Sequence, residues 1–204
     1  MSTKTSYIGP LSPEYALLGL LSQRPAHGYD LHQSLKKELG EVWHISLSQT
    51  YNILNRLEAQ GFVAGSLQAQ EKLPARRTFT LTTSGRRRFD AWLNTPGGCS
   101  VRAVRVEFIT RLYFALDIDP DLVGKIIDVQ ETEIRTCLLS LQEKHARTPQ
   151  EMTFNRLGLD LRIHQLESIL TWLDDCRQAI TPSDPDSIVP EAAPIADSSP
   201  GRSV

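Results

Sequence analysis

Five polar side chains crowd one short stretch of the chain: Ser48, Gln49, Tyr51, Asn52 and Arg56. Glutamine and asparagine amides can pair in bidentate fashion with adenine, and a guanidinium with guanine or a phosphate. Serine and tyrosine hydroxyls suit phosphate oxygens, as do the free N–H groups at a helix start. Further along, Lys72, Arg76 and Arg77 concentrate positive charge in and beside a polar turn. Cations so placed hold phosphates with salt-dependent strength or enter a minor groove. Alternation along a strand sends Arg76 and Arg77 to opposite faces, so one of the two is expected to meet a duplex. The expected ligand is double-stranded DNA. The alternatives are a solvated helix face and a merely solubilising charge cluster.

Other chemistry is poorly served. The five histidines show no metal-ligand spacing; His27 and His32 are five apart, not four. Asp174 and Asp175 are adjacent, and adjacent helical residues do not face each other. There is no nucleophile elbow, phosphate-cradling glycine loop, dinucleotide fingerprint or catalytic Cys/His pair. No enzyme activity, cofactor or metal is therefore expected. Net charge is −2, but residues 1–94 hold 11 Lys+Arg against 7 Asp+Glu, whereas residues 95–204 hold 11 against 17. The basic front half is the one suited to a polyanion. The longest apolar run, residues 15–21 (YALLGLL), is far short of the roughly 20 residues of a bilayer span. The first ten residues do not read as a secretory signal. Cys99, Cys137 and Cys176 are odd in number and far apart, which argues against a disulfide framework and for a reducing cytoplasm.

The polar cluster needs elements to position it. Ser12-Pro13-Glu14 reads as a helix start, with Ser as N-cap and Pro first in the helix, leading into Tyr15, Leu17, Leu18, Leu20 and Leu21. His27-Gly-Tyr-Asp30 opens a second helix with Leu31, Leu35 and Leu39 on one face and Gly40 at its end. Ser46 with Gln49 is a capping-box pattern. The third helix turns Leu47, Leu54 and Leu57 to the core and Ser48, Gln49, Asn52 and Arg56 outward, with Tyr51 between, and Gly61 stops it. Residues 62–68 and 77–82 read as a hairpin around the polar loop 69–75. A fourth helix runs from Thr83 to Leu93. Arg86, Arg87 and Arg88 spread over its circumference and are expected to be solvated. The layout is a winged helix-turn-helix.

After a linker at residues 94–98 the pattern is helical only. Val101, Val104, Phe108, Ile109 and Leu112 form a stripe, and Asp119-Pro120-Asp121 begins a long helix reaching about Lys144. The last helix, about residues 151–178, carries Leu159, Ile163, Leu166, Leu170 and Leu173 at steps of 4, 3, 4 and 3. That heptad seam is read as a dimer interface, a partner chain being the economical way to cover it; packing within the monomer is the alternative. The expected organisation is a flexible arm at 1–11, a winged-helix domain at 12–94, a helical dimerisation and effector domain at 99–178, and a disordered tail at 181–204. The fold class is mainly α: three helices plus a β-hairpin wing, followed by an all-helical dimerisation domain.

These residues resemble the PadR family of transcriptional regulators. The resemblance begins at Tyr15-Ala-Leu-Leu-Gly-Leu-Leu21 and His27-Gly-Tyr-Asp30. It continues through Ser48-Gln-Thr-Tyr51, Leu54-Asn-Arg-Leu-Glu58 and Gly61-Phe-Val63. It closes with Pro74-Ala-Arg-Arg-Thr-Phe-Thr-Leu-Thr82, Gly85 and Trp92-Leu93, and the segment Val104 to Phe114 looks like the start of the family's helical domain. The chain departs from it at Asn52, where the family commonly has proline, and at Phe79, where it commonly has tyrosine. The resemblance implies a homodimeric, cytoplasmic, ligand-responsive repressor on an inverted-repeat operator. It also implies a small aromatic effector near the junction of the two domains, where Phe89, Trp92 and Phe108 could line a pocket. The rival reading is a winged-helix protein-interaction scaffold without specific DNA binding.

Overall fold

The computed structural model describes residues 12–68 and 76–180. The expected arm at 1–11, the wing loop with Lys72 and the expected tail at 181–204 lie outside these residues, and of Arg76 only the backbone is described. The order of elements is α1 (Glu14–Gln23), β1 (Ala26–His27), α2 (Gly28–Leu39), α3 (Leu47–Ala59), β2 (Val63–Gln68), β3 (Arg76–Leu81) and α4 (Thr83–Leu93). Then follow α5 (Val101–Ala103), a π-helical turn (Val104–Phe108), α6 (Ile109–Ile118), α7 (Pro120–Arg147) and α8 (Thr153–Ile180). The protein is mainly α, a winged helix-turn-helix followed by helices.

Helix α1 is apolar nearly all round, so it lies in the middle of the head, with every residue from Glu14 to Leu21 buried. Pro13 has helical backbone angles just before α1, and Ser12 Oγ accepts the Glu14 backbone N–H at 3.3 Å, as expected of the helix start. Full burial of a leucine is worth about 1.5–3 kcal/mol, which makes this helix the head's anchor. The hairpin is antiparallel, and Val63 pairs with Leu81. A strand not anticipated from sequence, β1, pairs Ala26 with Phe79 and His27 with Thr78, giving the order β1-β3-β2. Two residues are too few to display an alternating pattern; only the approach of β3 makes them a strand. Phe79 is fully buried, so the residue replacing the family's tyrosine serves packing alone. Gly61, at φ 75°, takes the left-handed conformation that ends α3 and turns the chain into the wing.

The head (α1 to α4 with its strands) and the base (α5 to α8) are joined by packed side chains as well as by the linker. Tyr15 stacks on Trp92 with ring centroids 4.7 Å apart, and Phe89 meets Phe114 edge-on at 5.4 Å. The Trp43 indole N–H donates to Thr110 Oγ1 at 2.8 Å. A Cβ on Gly19 would lie 2.3 Å from the Phe114 ring, and that ring is fully buried. Gly19→Ala should therefore destabilise the fold by about 1–3 kcal/mol in urea unfolding, the range for overpacking a filled core. An unchanged midpoint would show that Phe114 has room to move.

Three sequence expectations need correction. Cys99 and Cys137, 38 residues apart, form a disulfide with Cα atoms 6.4 Å apart, leaving Cys176 as the free cysteine. Separation along the chain is no guide once α7 folds back beside the start of α5. Second, the heptad seam packs within the monomer: Leu159, Leu166 and Leu173 are buried and Ile163 and Leu170 partly so, all in one core with Ile134 and Leu141 of α7. An antiparallel neighbour in the same chain satisfies a heptad as well as a partner chain does. Third, Arg88 is half-buried, its guanidinium 4.7 Å from the Phe62 ring centroid and 5.6 Å from that of Tyr15. The aliphatic stem and flat cation of arginine can cover apolar surface that a hydrated ammonium would avoid. Among the described residues no helix is long and apolar enough to cross a membrane.

Candidate nucleic-acid interface

The candidate recognition surface is built on α3, whose start is fastened twice. Ser46 Oγ accepts from the Gln49 backbone N–H at 3.2 Å, and Gln49 Oε1 accepts from the Ser46 N–H at 2.7 Å. The expected capping box is therefore present, and it uses the Gln49 carbonyl. Gln49 retains a free amide N–H2 donor, but bidentate pairing with adenine would require opening the box, at about 1 kcal/mol.

The inner face of α3 consists of Thr50, Ile53, Leu54 and Leu57. Leu47, expected in the core, stands exposed on the first turn, and Thr50 is buried instead. Thr50 has its hydroxyl satisfied by the Ser46 carbonyl at 3.1 Å and lies 3.1 Å from His32 Nδ1. The outer face presents Ser48, Gln49, Tyr51, Asn52, Asn55 and Arg56 to solvent. Ser48, Asn52 and Asn55, at i, i+4 and i+7, form one polar row. Spacing alone places Asn55 on the same face, and its Oδ1 accepts from Arg77 Nη1 at 3.5 Å. Tyr51 lies over the start of α2, where a Cβ on Gly28 would be 2.5 Å from its ring. Its position is thus set by packing.

Two of the three arginines singled out from sequence, Arg56 and Arg77, are anchored within the protein. Arg56 Nε donates to Glu14 Oε1 at 2.6 Å; Glu14 is 1 % exposed, and Arg56 supplies the countercharge that lets it stay in the core. Arg77 turns back onto α3. Its Nη2 contacts both Glu58 oxygens, at 2.6 and 2.5 Å, while its guanidinium lies 5.3 Å from the Phe79 ring centroid. Glu58 Oε1 also accepts the Gly65 N–H at 3.0 Å. One carboxylate of α3 thus holds both strands of the wing. Glu14 and Glu58 lack any signal in the sequence, because their partners are 42 and 19 residues away.

Phe89, Trp92 and Phe108 are all buried, and Phe108 meets Trp172 edge-on at 6.0 Å. They are core, and the neighbouring cleft of about 140 Å³ has different walls: linker residues Asn94 to Gly97, with Arg111, Lys125 and Gln130. Arg111 Nε and Gln130 Oε1 are buried there without hydrogen-bond partners. Arg111 is paired through Nη2 with Glu107 at 2.5 Å and lies 5.0 Å from the Trp92 ring centroid. Burial pushes the Glu107 carboxyl above its ordinary range, with Arg111 pulling the other way.

Residues 17–91 match the Transcriptional regulator PadR-like family. The Negative transcriptional regulator PadR of Bacillus subtilis (strain 168) is 27% identical over 170 residues, covering 79% of this chain and 93% of the relative. Among solved structures, Bacillus subtilis PadR in complex with operator DNA is 26% identical over 82% of this chain and 98% of that one, with a TM-score of 0.41. Bacillus subtilis PadR in complex with p-coumaric acid is 25% identical with the same coverage and a TM-score of 0.37.

Proposed function

We propose that this chain is a PadR-like transcriptional regulator and not an enzyme: a cytoplasmic, homodimeric, ligand-responsive repressor of an inverted-repeat operator, a reading supported by the match of residues 17–91 to that family. The observation that carries the reading is the polar row Ser48, Asn52 and Asn55, exposed on a helix whose start and wing are both fastened. An exposed row on a rigid helix can enter a major groove without first being ordered. Asn52 is the amide free for bidentate pairing with adenine, and Gln49 donates only its N–H2. The helix start and Ser48 face phosphates. Lys72 and Arg76 of the wing are assigned to the flanking backbone, since Arg77 is already neutralised by Glu58. The negative regulation named for the Bacillus subtilis relative supports repression.

The dimer is assigned to a surface other than the heptad seam. Leu139, Phe154, Leu157 and Leu161 are exposed on α7 and α8. Phe154, Leu157 and Leu161, at i, i+3 and i+7, form a stripe on the outer side of α8 that a second copy would cover. The effector is assigned to the cleft beside the linker, where Arg111, Gln130 and Lys125 offer polar partners and the linker forms one wall. A ligand there would alter how the heads sit on the base and so change affinity through head spacing.

Fluorescence anisotropy with promoter-length duplexes tests the DNA reading. Asn52→Ala should weaken specific binding by about 1–3 kcal/mol and relax preference at one base pair. Lys72→Ala removes one phosphate contact per subunit and should shallow the salt dependence of the dimer by about 1.8 in slope, whereas Arg77→Ala should leave that slope unchanged. Binding without a salt slope or any sequence preference would favour the protein-interaction scaffold.

A further inference from the structure

The Cys99–Cys137 pair lies outside the recognition surface, and its surroundings are those of a thiol-exchange site. Cys99 follows the linker directly, and Cys137 is on α7, so the bond ties the end of the linker to the long helix of the base. A groove of about 270 Å³ opens at Cys99, with Arg102 and Arg162 among its walls. Neither arginine makes an ion pair among the described residues. Cys99 and Cys137 are each only half-buried, so reagent can reach them. Glu133, one turn before Cys137, has a carboxylate oxygen within 4.8 Å of the sulfurs. A guanidinium near a thiol favours its nucleophilic thiolate; the charge of a neighbouring carboxylate opposes it, but that carboxylate can relay the thiol proton.

We propose that Cys99 and Cys137 form a reversible redox site that exchanges with a small anionic disulfide docked in the arginine-walled groove, and that the exchange sets the freedom of the linker. The Cys99 thiolate attacks one sulfur of the disulfide RSSR. The S–S bond of RSSR breaks, Cys99–S–SR forms, and RS⁻ leaves. Cys137, having given its proton to Glu133 or water, then attacks the Cys99 sulfur and expels the second RS⁻. The two protein thiols are oxidised to one disulfide, RSSR is reduced to two RSH, and the two thiol protons end on the departing thiolates. Excess RSH reverses both steps. Reversibility of this kind is compatible with a reducing cytoplasm, which a permanent structural disulfide is not. The linker that would loosen on reduction also walls the Arg111 cleft, and Gln130 Nε2 donates to the Gly98 carbonyl at 3.4 Å beside Cys99. Cys176 is the internal control: burial, and then Asp175, push its thiol up and away from thiolate.

The test uses the full chain, with glutathione as the probe, equilibrated over a range of reduced-to-oxidised ratios. Free thiols are then alkylated under denaturing conditions and the protein is weighed and peptide-mapped. Wild type should carry one alkyl group, on Cys176, at oxidising ratios and three at reducing ones. Cys137→Ser should accumulate one glutathione on Cys99, at least ten times more than Cys99→Ser accumulates on Cys137. Three alkyl groups at every ratio, equal loading of the two variants, or stoichiometric zinc on the native protein that holds both thiols reduced would overturn the proposal. Because the wild-type arm needs no substitution, a misfolded variant cannot mask the answer. The regulatory half rests on the DNA-binding reading and has its own measurement. Oxidised and reduced wild type should differ in duplex affinity by about five-fold or more, the lower range of allosteric coupling. A smaller difference would overturn the regulatory role, while absence of DNA binding in both forms would overturn the functional reading instead.

Discussion

Arg111→Ala is expected to lower the free energy of unfolding by about 3–5 kcal/mol, the range for breaking a buried ion pair by removing one partner. Glu107 is 1 % exposed and Arg111 2 %. They lie one turn apart where the π-helical turn runs into α6, between the head's Trp92 and the base. Removing the guanidinium leaves a carboxylate in the core without its countercharge. Replacing both partners, as in Glu107→Leu with Arg111→Met, should recover most of the loss, because apolar groups of similar volume need no pairing. The pH dependence has a definite sign. The folded-state pKa of Glu107 is raised by burial, so the folded protein holds its proton more tightly than the unfolded chain does. Glu107's contribution is therefore fully present below the unfolded value of about 4.3 and is lost as pH rises through the higher folded value. Without Arg111 the folded value rises further. The deficit of Arg111→Ala should accordingly be largest near pH 7 and shrink as pH falls toward the ordinary carboxylate range. Urea unfolding of the variant across that range is the measurement, and a deficit under about 1 kcal/mol or one that grows on acidification would refute the account.

The second large effect concerns assembly. Phe154→Glu with Leu157→Glu should convert the protein from dimer to monomer in sedimentation experiments. Apparent operator affinity should fall by about 10²-fold or more, since two linked heads bind with an effective-concentration advantage of that size. Phe154 is 88 % exposed and Leu157 57 %, so urea stability of the monomer should change by less than about 0.5 kcal/mol apart from the lost association. Leu166→Ala is the contrasting control. It empties a buried position between α7 and α8 and should cost about 2–5 kcal/mol in stability. A dimer that survives the double substitution but dissociates with Leu166→Ala would return the interface to the heptad seam.

The contrast between these surfaces shows where local pattern stops informing. A heptad such as Leu159, Ile163, Leu166, Leu170 and Leu173 states that a helix packs on a helix. It cannot state whether that helix comes from the same chain, because the ridges that fill its grooves look alike from either source. Leu157 and Leu161 lie outside the heptad register and are inconspicuous in a leucine-rich helix, yet they carry the exposed stripe. The same reasoning applies to charge. Arg56 and Arg77 are basic residues beside a recognition helix, and only their partners Glu14 and Glu58 reveal that both are committed within the protein.

By itself the sequence determined what depends on neighbours within a few residues. The capping box at Ser46 and Gln49, the stop at Gly61, the continuously apolar α1 and the outward polar row on α3 all follow from helical spacing and backbone chemistry. These place Ser48, Gln49 and Asn52 on the exposed face of α3. Tertiary structure alone decided what depends on residues distant in the chain meeting in space. It recruited Ala26 and His27 as a third strand, joined Cys99 to Cys137, held Glu14 in the core against Arg56 and turned Arg77 back onto Glu58. The physical reason is common to all four: each interaction has one half at each site, and neither half has a distinctive local signature until the hydrophobic core brings the two together.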